Sequence, residues 1–564
     1  MDYRQAIAEQ LEKHIPAQDI FESIETPPDA KMGHFAYPCF KLAKTMRKAP
    51  PAIAADIVTA LNENGLPPWL ESVQSTNAYI NFFLERETFA AQVLEDTVKD
   101  RYGSSTRGAG KTVVIDFSSP NIAKHFHIGH LGTTIIGRAL YNIFSYEGYE
   151  VTGINYLGDW GTAFGKLLTA FLRWGDRDEV ERTGLDGLTA LYVRFHDEAE
   201  KDPSLEDEAR GYVVKMEAGD EESIKIWKWI CEISMREYQK IYTRMGVTFD
   251  SYKGESSYNG KMGPAVDELR EKGLLVESEG AHMVDLEEYN MPPCLILRRD
   301  GGTLYATRDI TAAKDRYETY KFDKSLYVVA TEQNLYFSQL FKVIELMGYP
   351  WAKGMKHVAP GMYSLESGRM QTRKGEVVKL ADLLEEAVAK TLAIIEEKSP
   401  NLENKAEVAE QVGIGAVVFN GMYNSMGKDV VFSFDRMLNF EGETAPYVQY
   451  THARACSVLQ KAEANRSLTP TGCAKALCDD EAFETLRLLY GFPERVAEAA
   501  DRYEPYIISR FLVALAQAFN KFYNTHIILS GDDTQAGRLA LVDAVRNTLE
   551  NGLRLLGIKA PKKM

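Results

Sequence analysis

The stretch Thr112-Val113-Val114-Ile115-Asp116-Phe117-Ser118-Ser119-Pro120-Asn121-Ile122-Ala123-Lys124-His125-Phe126-His127-Ile128-Gly129-His130, continued by a periodic segment to Tyr149, decides how this chain is read. β-Branched residues cluster at Val113-Val114-Ile115, and Ser-Ser-Pro-Asn then breaks the run, so the opening is a buried strand. Apolar residues at Leu131, Ile135, Leu140 and Phe144 follow at helical spacing, so the close is a helix carrying His127 and His130 in its first turn. Strand, polar crossover and helix make up the repeating unit of an open parallel sheet. In such sheets ligands bind beyond the carboxyl ends of the strands.

His127 and His130 are three residues apart and so share one helix face. A helix start offers free N–H groups and partial positive charge, which suits a phosphate. Gly129 between them lets a flat ring approach the backbone. With Lys124 upstream, the set is a cradle for a polyphosphate, and phosphoryl or nucleotidyl transfer asks of a protein mainly positioning and charge stabilisation. Two other readings of the same residues stand beside this one: ordinary helix-start histidines, or a zinc site built from His125, His127 and His130. No Cys or carboxylate lies at ligand spacing beside them, which weakens the zinc reading.

The segment Ser118-Ser119-Pro120-Asn121-Ile122-Ala123-Lys124, then His127-Ile128-Gly129-His130 and Leu157-Gly158-Asp159-Trp160-Gly161-Thr162, resembles the class I aminoacyl-tRNA synthetases with their HIGH-type signature. More narrowly it resembles the arginyl-tRNA synthetases, and the resemblance covers essentially the whole chain. It implies an α/β multidomain protein: a Rossmann-like parallel-sheet catalytic domain at 106–404, preceded by a small N-terminal α/β domain at 1–105 and followed by a C-terminal α-helical bundle at 405–564 that binds the anticodon. It implies ATP with Mg2+, L-arginine and tRNA(Arg) as partners, a monomer, and no editing domain. A site that hydrogen-bonds a whole polar side chain rejects analogues by roughly 10⁴-fold or more without one.

The resemblance also distributes roles. Lys124, His127 and His130 stabilise charge at the phosphates, with Gly129 under the adenine. Gly368-Arg369-Met370-Gln371-Thr372-Arg373-Lys374-Gly375 stands where class I enzymes carry a lysine loop. It puts Met370 at ATP and makes Arg373 and Lys374 catalytic. Gln371 and Thr372 depart from the family's usual Ser and second Lys, so Lys124 is the substitute cation. Arginine falls among Asp116, Ser119, Asn121, Glu255, Tyr305, Asp309 and Gln333. Asp116, Glu255, Tyr305 and Asp309 surround its side chain, because paired carboxylates match a planar guanidinium fork. Asn121 and Gln333 take its α-amino and carboxylate groups. No metal-binding side chains are assigned. For tRNA, Tyr79 and Asn81 face the elbow, although Asn77-Ala78 replaces the family's usual Gly-Pro; Tyr447, Tyr450 and Met564 face the anticodon, where aromatic rings stack on splayed bases.

Composition agrees. A chain of 564 residues is too long for one core, and about three or four domains are expected. A hydrophobic content of 45% and a charged content of 26% are those of a soluble globular protein, and no apolar run reaches membrane-span length. The start, Met1-Asp2-Tyr3-Arg4-Gln5, is not a secretory signal, and six scattered Cys without a Cys-x-x-Cys pair fit a reducing cytoplasm. A net charge of −16 argues against a general nucleic-acid coat but leaves room for a basic stripe that binds tRNA. Strands are expected at 112–117, 151–156, 326–330 and 356–358, and Glu217 to Arg244 reads as one amphipathic packing helix. Two rivals remain: a class I synthetase for another amino acid, such as cysteine or glutamine, and a tRNA-binding paralogue without catalysis.

Overall fold

The computed structural model describes residues 1–16, 19–27, 30–299, 301–366, 378–462 and 474–564. It contains two compact units. One comprises Met1–Tyr102, Arg454–Gly491 and Ala514–Thr548; the other comprises Gly103–Ala453, Phe492–Val513 and Leu549–Met564.

The first unit is built around a three-stranded antiparallel sheet in the order Phe35–Pro38, Tyr79–Leu84, Leu70–Thr76. Its helix Tyr3–Leu11 starts where the Asp2 carboxylate accepts the Gln5 N–H, and the helix Pro50–Glu63 starts at Pro50, whose missing N–H costs nothing at a first turn. Tyr3, Phe89 and Tyr490 meet ring to ring in its core.

The second unit carries a four-stranded parallel sheet in the order Met355–Val358, Lys324–Val328, Thr112–Asp116, Glu150–Ile154. Val113, Val114 and Ile115 are all fully buried, as a strand covered on both faces requires. From the central strand Thr112–Asp116 the chain passes through the helix Gly129–Tyr146 to Glu150–Ile154 on one side, and only later supplies Lys324–Val328 on the other. The strand order therefore reverses at Asp116, which makes the end of this strand the switch point where ligands lodge. The helix lies close on the sheet because residue 137 is Gly: a Cβ there would sit 2.2 Å from the Cβ of Phe117.

Two strands end earlier than their composition suggests, at Ile154 and Val328. Beyond Ile154, Tyr156 turns to the site instead: its N–H donates to Ser119 Oγ (3.2 Å). The amphipathic run expected from Glu217 begins at Glu221, because Gly219 is left-handed (φ 85°) and Asp220 caps the new helix Glu221–Met245 by accepting the Ser223 N–H. Beyond residue 405 the chain is mainly helical, with Lys405–Gly421, Ala445–Ala462, Asp480–Arg502, Tyr506–Thr525 and Gln535–Leu555. Among the described residues no helix is long and apolar enough to cross a membrane.

Candidate active site

The helix proper begins at Gly129, so His127 stands just outside it and His130 in its first turn, and their rings meet with centroids 3.9 Å apart. The Gly129 N–H donates to His127 Nδ1 (3.1 Å) and the His127 N–H donates to His130 Nδ1 (3.2 Å). The His130 and Leu131 N–H groups are taken by the carbonyls of His127 and Ile128. This corrects the expectation of a cradle of free backbone donors: the first turn closes on itself. Burial holds His130 down to about 3, and burial with Lys124 nearby lowers His127, so both rings are neutral at physiological pH. With each Nδ1 accepting, each neutral ring carries its proton on Nε2. The pair can therefore act as two N–H donors rather than as two imidazolium charges. Among the described residues the positive charge acting on both rings is that of Lys124, an exposed residue.

The zinc alternative does not survive this geometry. His125 turns its Nε2 to Asp186 (3.2 Å), the other two rings spend Nδ1 on backbone, and among the described residues no group of three His, Cys, Asp or Glu is placed to hold a metal ion.

The crossover between strand and helix is held in an unusual backbone. Ser118 (φ 70°), Ser119 (φ 46°) and Ala123 (φ 62°) are all left-handed without being Gly. Each such residue costs roughly 1–2 kcal/mol and persists only where its surroundings impose it. Side chains do so here. Ser119 Oγ donates to Asp116 Oδ1 (2.7 Å), and Ser118 Oγ lies 2.8 Å from Thr134 Oγ1 and 2.9 Å from the Tyr242 hydroxyl.

The acidic pocket at the carboxyl ends of the strands differs from the expected ring of free carboxylates. Asp116 is buried and taken by Arg316, whose guanidinium donates to Oδ2 at 2.7 Å and lies over the rings of Tyr156 and Tyr327. Glu255 is taken by Arg308 (2.9 Å). Both acids, expected around the arginine side chain, thus already hold a cation of the protein itself. Burial lifts Glu255 to about 7 despite its Arg308 partner. Asp309 is the remaining acid. It accepts the Tyr156 hydroxyl (3.2 Å) and the Tyr336 hydroxyl, burial pushes its carboxyl up, and no Lys or Arg among the described residues forms an ion pair with it. Asp159, from the Leu157-Gly158-Asp159 motif, docks the neighbouring turn by accepting the Ser256 N–H (2.8 Å) and Oγ–H (2.6 Å).

Other assigned residues fall as follows. Tyr305 is the first residue of the helix Tyr305–Tyr320 and is 69% exposed, one turn before Asp309. Gln333 and Asn121 are exposed, Asn121 pairing across to Gly158. Met370, Arg373 and Lys374 lie outside the described residues. The residues that flank them are in place: Lys379 bridges to His127, and the Tyr363 ring fills the space a side chain at 132 would take. In the first unit Tyr79 is half-buried against the exposed Phe40 ring (5.5 Å), while Asn81 is buried. Tyr450 is 39% exposed and Tyr447 half-buried. Met564 packs against a cluster of Ile395, Val408, Ala409 and Val412, so its apolar side chain has a protein partner rather than an open face. Residues overlooked in the sequence are Tyr156, Tyr336, Arg308 and Arg316 of the pocket. Tyr156, next to the Leu157-Gly158-Asp159 motif, and Arg308, next to Asp309, carried a signal; Tyr336 and Arg316 carried none.

A parallel sheet whose switch point carries a neutral histidine pair on one side and an acidic pocket on the other is a catalytic domain of the class I aminoacyl-tRNA synthetase kind, and residues 92–434 match the family described as tRNA synthetases class I (R), catalytic domain. Residues 1–84 match the arginyl tRNA synthetase N terminal domain and residues 448–564 the DALR anticodon binding domain. The chain is 51% identical to an arginine–tRNA ligase of Alkaliphilus metalliredigens over 569 residues and 49% identical to one of Clostridioides difficile, each covering 100% of both chains. Among solved structures it is similar to the arginyl-tRNA synthetase of Thermus thermophilus, with a TM-score of 0.82 and 26% identity over 100% of this chain and 99% of that one. The chain belongs to the arginyl-tRNA synthetase family.

Proposed function

We propose that the chain activates L-arginine with ATP and transfers the arginyl group to the 3′ end of tRNA(Arg). The observation that carries the amino-acid part is Asp309, an acid in the switch-point pocket held by two tyrosine hydroxyls and without an ion pair to a Lys or Arg among the described residues. A guanidinium supplies that charge. Tyr305 lies one helical turn before it, placed to cover the bound side chain, while Ser119, Asn121 and Gln333 serve the α-amino and carboxylate end. Asp116 and Glu255 act at one remove, through Arg316 and Arg308, by fixing the walls.

The carboxylate of arginine attacks the α-phosphate, and the charge that develops needs donors already in place. The Nε2–H groups of His127 and His130 supply two, and Lys124 supplies the cation, with Arg373 and Lys374 as further candidates and Met370 beside the nucleotide. Gly129 leaves room for adenine. Mg2+ accompanies ATP, bound by phosphate oxygens and water as this ion prefers. Residues 1–105, 106–404 and 405–564 serve tRNA elbow, catalysis and anticodon respectively. Tyr79, Tyr447 and Tyr450 are the stacking candidates, and the enzyme works as a monomer in the cytoplasm.

Charging total tRNA with each of the twenty amino acids tests the reading. Arginine alone should be attached. Attachment of cysteine, glutamine or lysine, or of none, would overturn it.

A further inference from the structure

The helix Glu221–Met245 reads from its sequence as plain packing, and its apolar residues do pack. A second stripe on the same helix is polar and buried. Ser234, Tyr238 and Tyr242, at i, i+4 and i+8, are each fully buried, and all three aim at the strained crossover. Ser234 Oγ accepts the Ala123 N–H (3.0 Å). The Tyr238 hydroxyl bonds the carbonyls of both Asn121 (2.8 Å) and Lys124 (2.5 Å). The Tyr242 hydroxyl meets Ser118 Oγ (2.9 Å) and accepts from Asn155 Nδ2 (3.1 Å). Three hydroxyls thus serve a segment containing three left-handed non-Gly residues.

We infer that Tyr238 is a positioning residue for the activation step, clamping the backbone of Asn121 and Lys124 so that the Lys124 ammonium is aimed at the phosphates. This rests on the role given to Lys124 above. The physical ground is that a loop in this backbone conformation does not hold itself. Without its buried donors it relaxes toward ordinary φ values, and a long flexible lysine stem carries any such shift out to its charge. One hydroxyl shared between two carbonyls on either side of the left-handed Ala123 locks the turn from which Lys124 projects. The tyrosine ring does a separate job, packing against Phe126 (centroids 5.6 Å), so the hydroxyl can be removed without emptying the core.

The test is a double-mutant cycle of Tyr238→Phe and Lys124→Ala in full-length enzyme, read as kcat and the separate KM values for arginine and ATP in tRNA charging, with thermal melting alongside. Tyr238→Phe should lower kcat roughly tenfold, the worth of a buried hydrogen bond, with the melting temperature held and the KM for arginine unmoved. In the Lys124→Ala background the same change should cost less than about twofold, because its target is gone. Ser234→Ala, which frees the Ala123 N–H, should act in the same direction and more weakly. Tyr238→Phe with kcat within twofold of wild type, a loss that adds in full to that of Lys124→Ala, or one tracking the melting temperature overturns the inference. Lys124→Ala at wild-type activity instead removes the role of Lys124 and is seen independently of Tyr238.

Discussion

Asp309→Asn isolates the charge on which the proposed seat for arginine rests. The amide keeps the shape of the carboxylate and can still face the Tyr156 and Tyr336 hydroxyls, but it offers no negative charge. Asp116 and Glu255 already share their charge with Arg316 and Arg308 and so compensate only in part. Bound arginine would then present a buried guanidinium to a pocket without a free counter-charge. Removing one member of a buried ion pair costs about 3–5 kcal/mol, which is about two to three and a half powers of ten in kcat/KM. The loss should appear in charging assays as kcat/KM for arginine, with the KM for ATP unchanged, since the side chains proposed for ATP are a different set. Stability should hold or rise, because burial already pushes the Asp309 carboxyl up and the charged form is the costly one in the free protein. Tyr336→Phe removes one hydroxyl from the same carboxylate and should cost arginine only about tenfold. An Asp309→Asn enzyme that keeps kcat/KM for arginine within about tenfold of wild type, or loses affinity equally for ATP, would refute the assignment of Asp309 as the guanidinium seat.

Three further outcomes are expected. Lys124→Ala should lower kcat in tRNA charging by roughly 10²–10³-fold, the scale of a lost charge-stabilising group, while arginine binding measured by calorimetry persists. Arg316→Met leaves Asp116 buried without its cation and should destabilise the protein by about 3–5 kcal/mol in denaturant titration, whereas replacing both, as Asp116→Asn with Arg316→Met, should recover part of that loss. The Glu255 carboxyl, held near 7 against an ordinary value of 4.5, binds its proton more tightly folded than unfolded. Its contribution to stability is therefore full below about pH 4.5 and is lost as pH rises through about 7. Protonation of Glu255 also leaves the Arg308 charge at the pocket unbalanced, so the KM for arginine should rise as pH falls through about 7, and Glu255→Gln should flatten that dependence.

What was legible in the sequence was whatever local pattern imposes. Val113-Val114-Ile115 read as a buried strand and the apolar spacing after His130 as a helix, so a parallel strand–helix unit was legible from periodicity, while the switch point came from the strand order. Family resemblance then assigned the chemistry to residues close to those that line the pocket. Three things were not in the pattern. A carboxylate on a sequence shows its charge but not its partner, so Asp116 and Glu255 looked as available as Asp309; only folding, which brings Arg316 to Asp116 across 200 positions, decides which acid is left over. A histidine shows two nitrogens but not which one the backbone occupies, so the neutral Nε2–H pair could not be told from a charged pair before the helix start closed on itself. A tyrosine at helical spacing looks like core whether or not its hydroxyl has work, and Tyr238 acquired that work only when the crossover arrived above it. Secondary structure and signature positions are set by neighbours along the chain, which a sequence displays. Charge pairing, tautomer and buried donors are set by neighbours through space, and those exist only once the chain has folded.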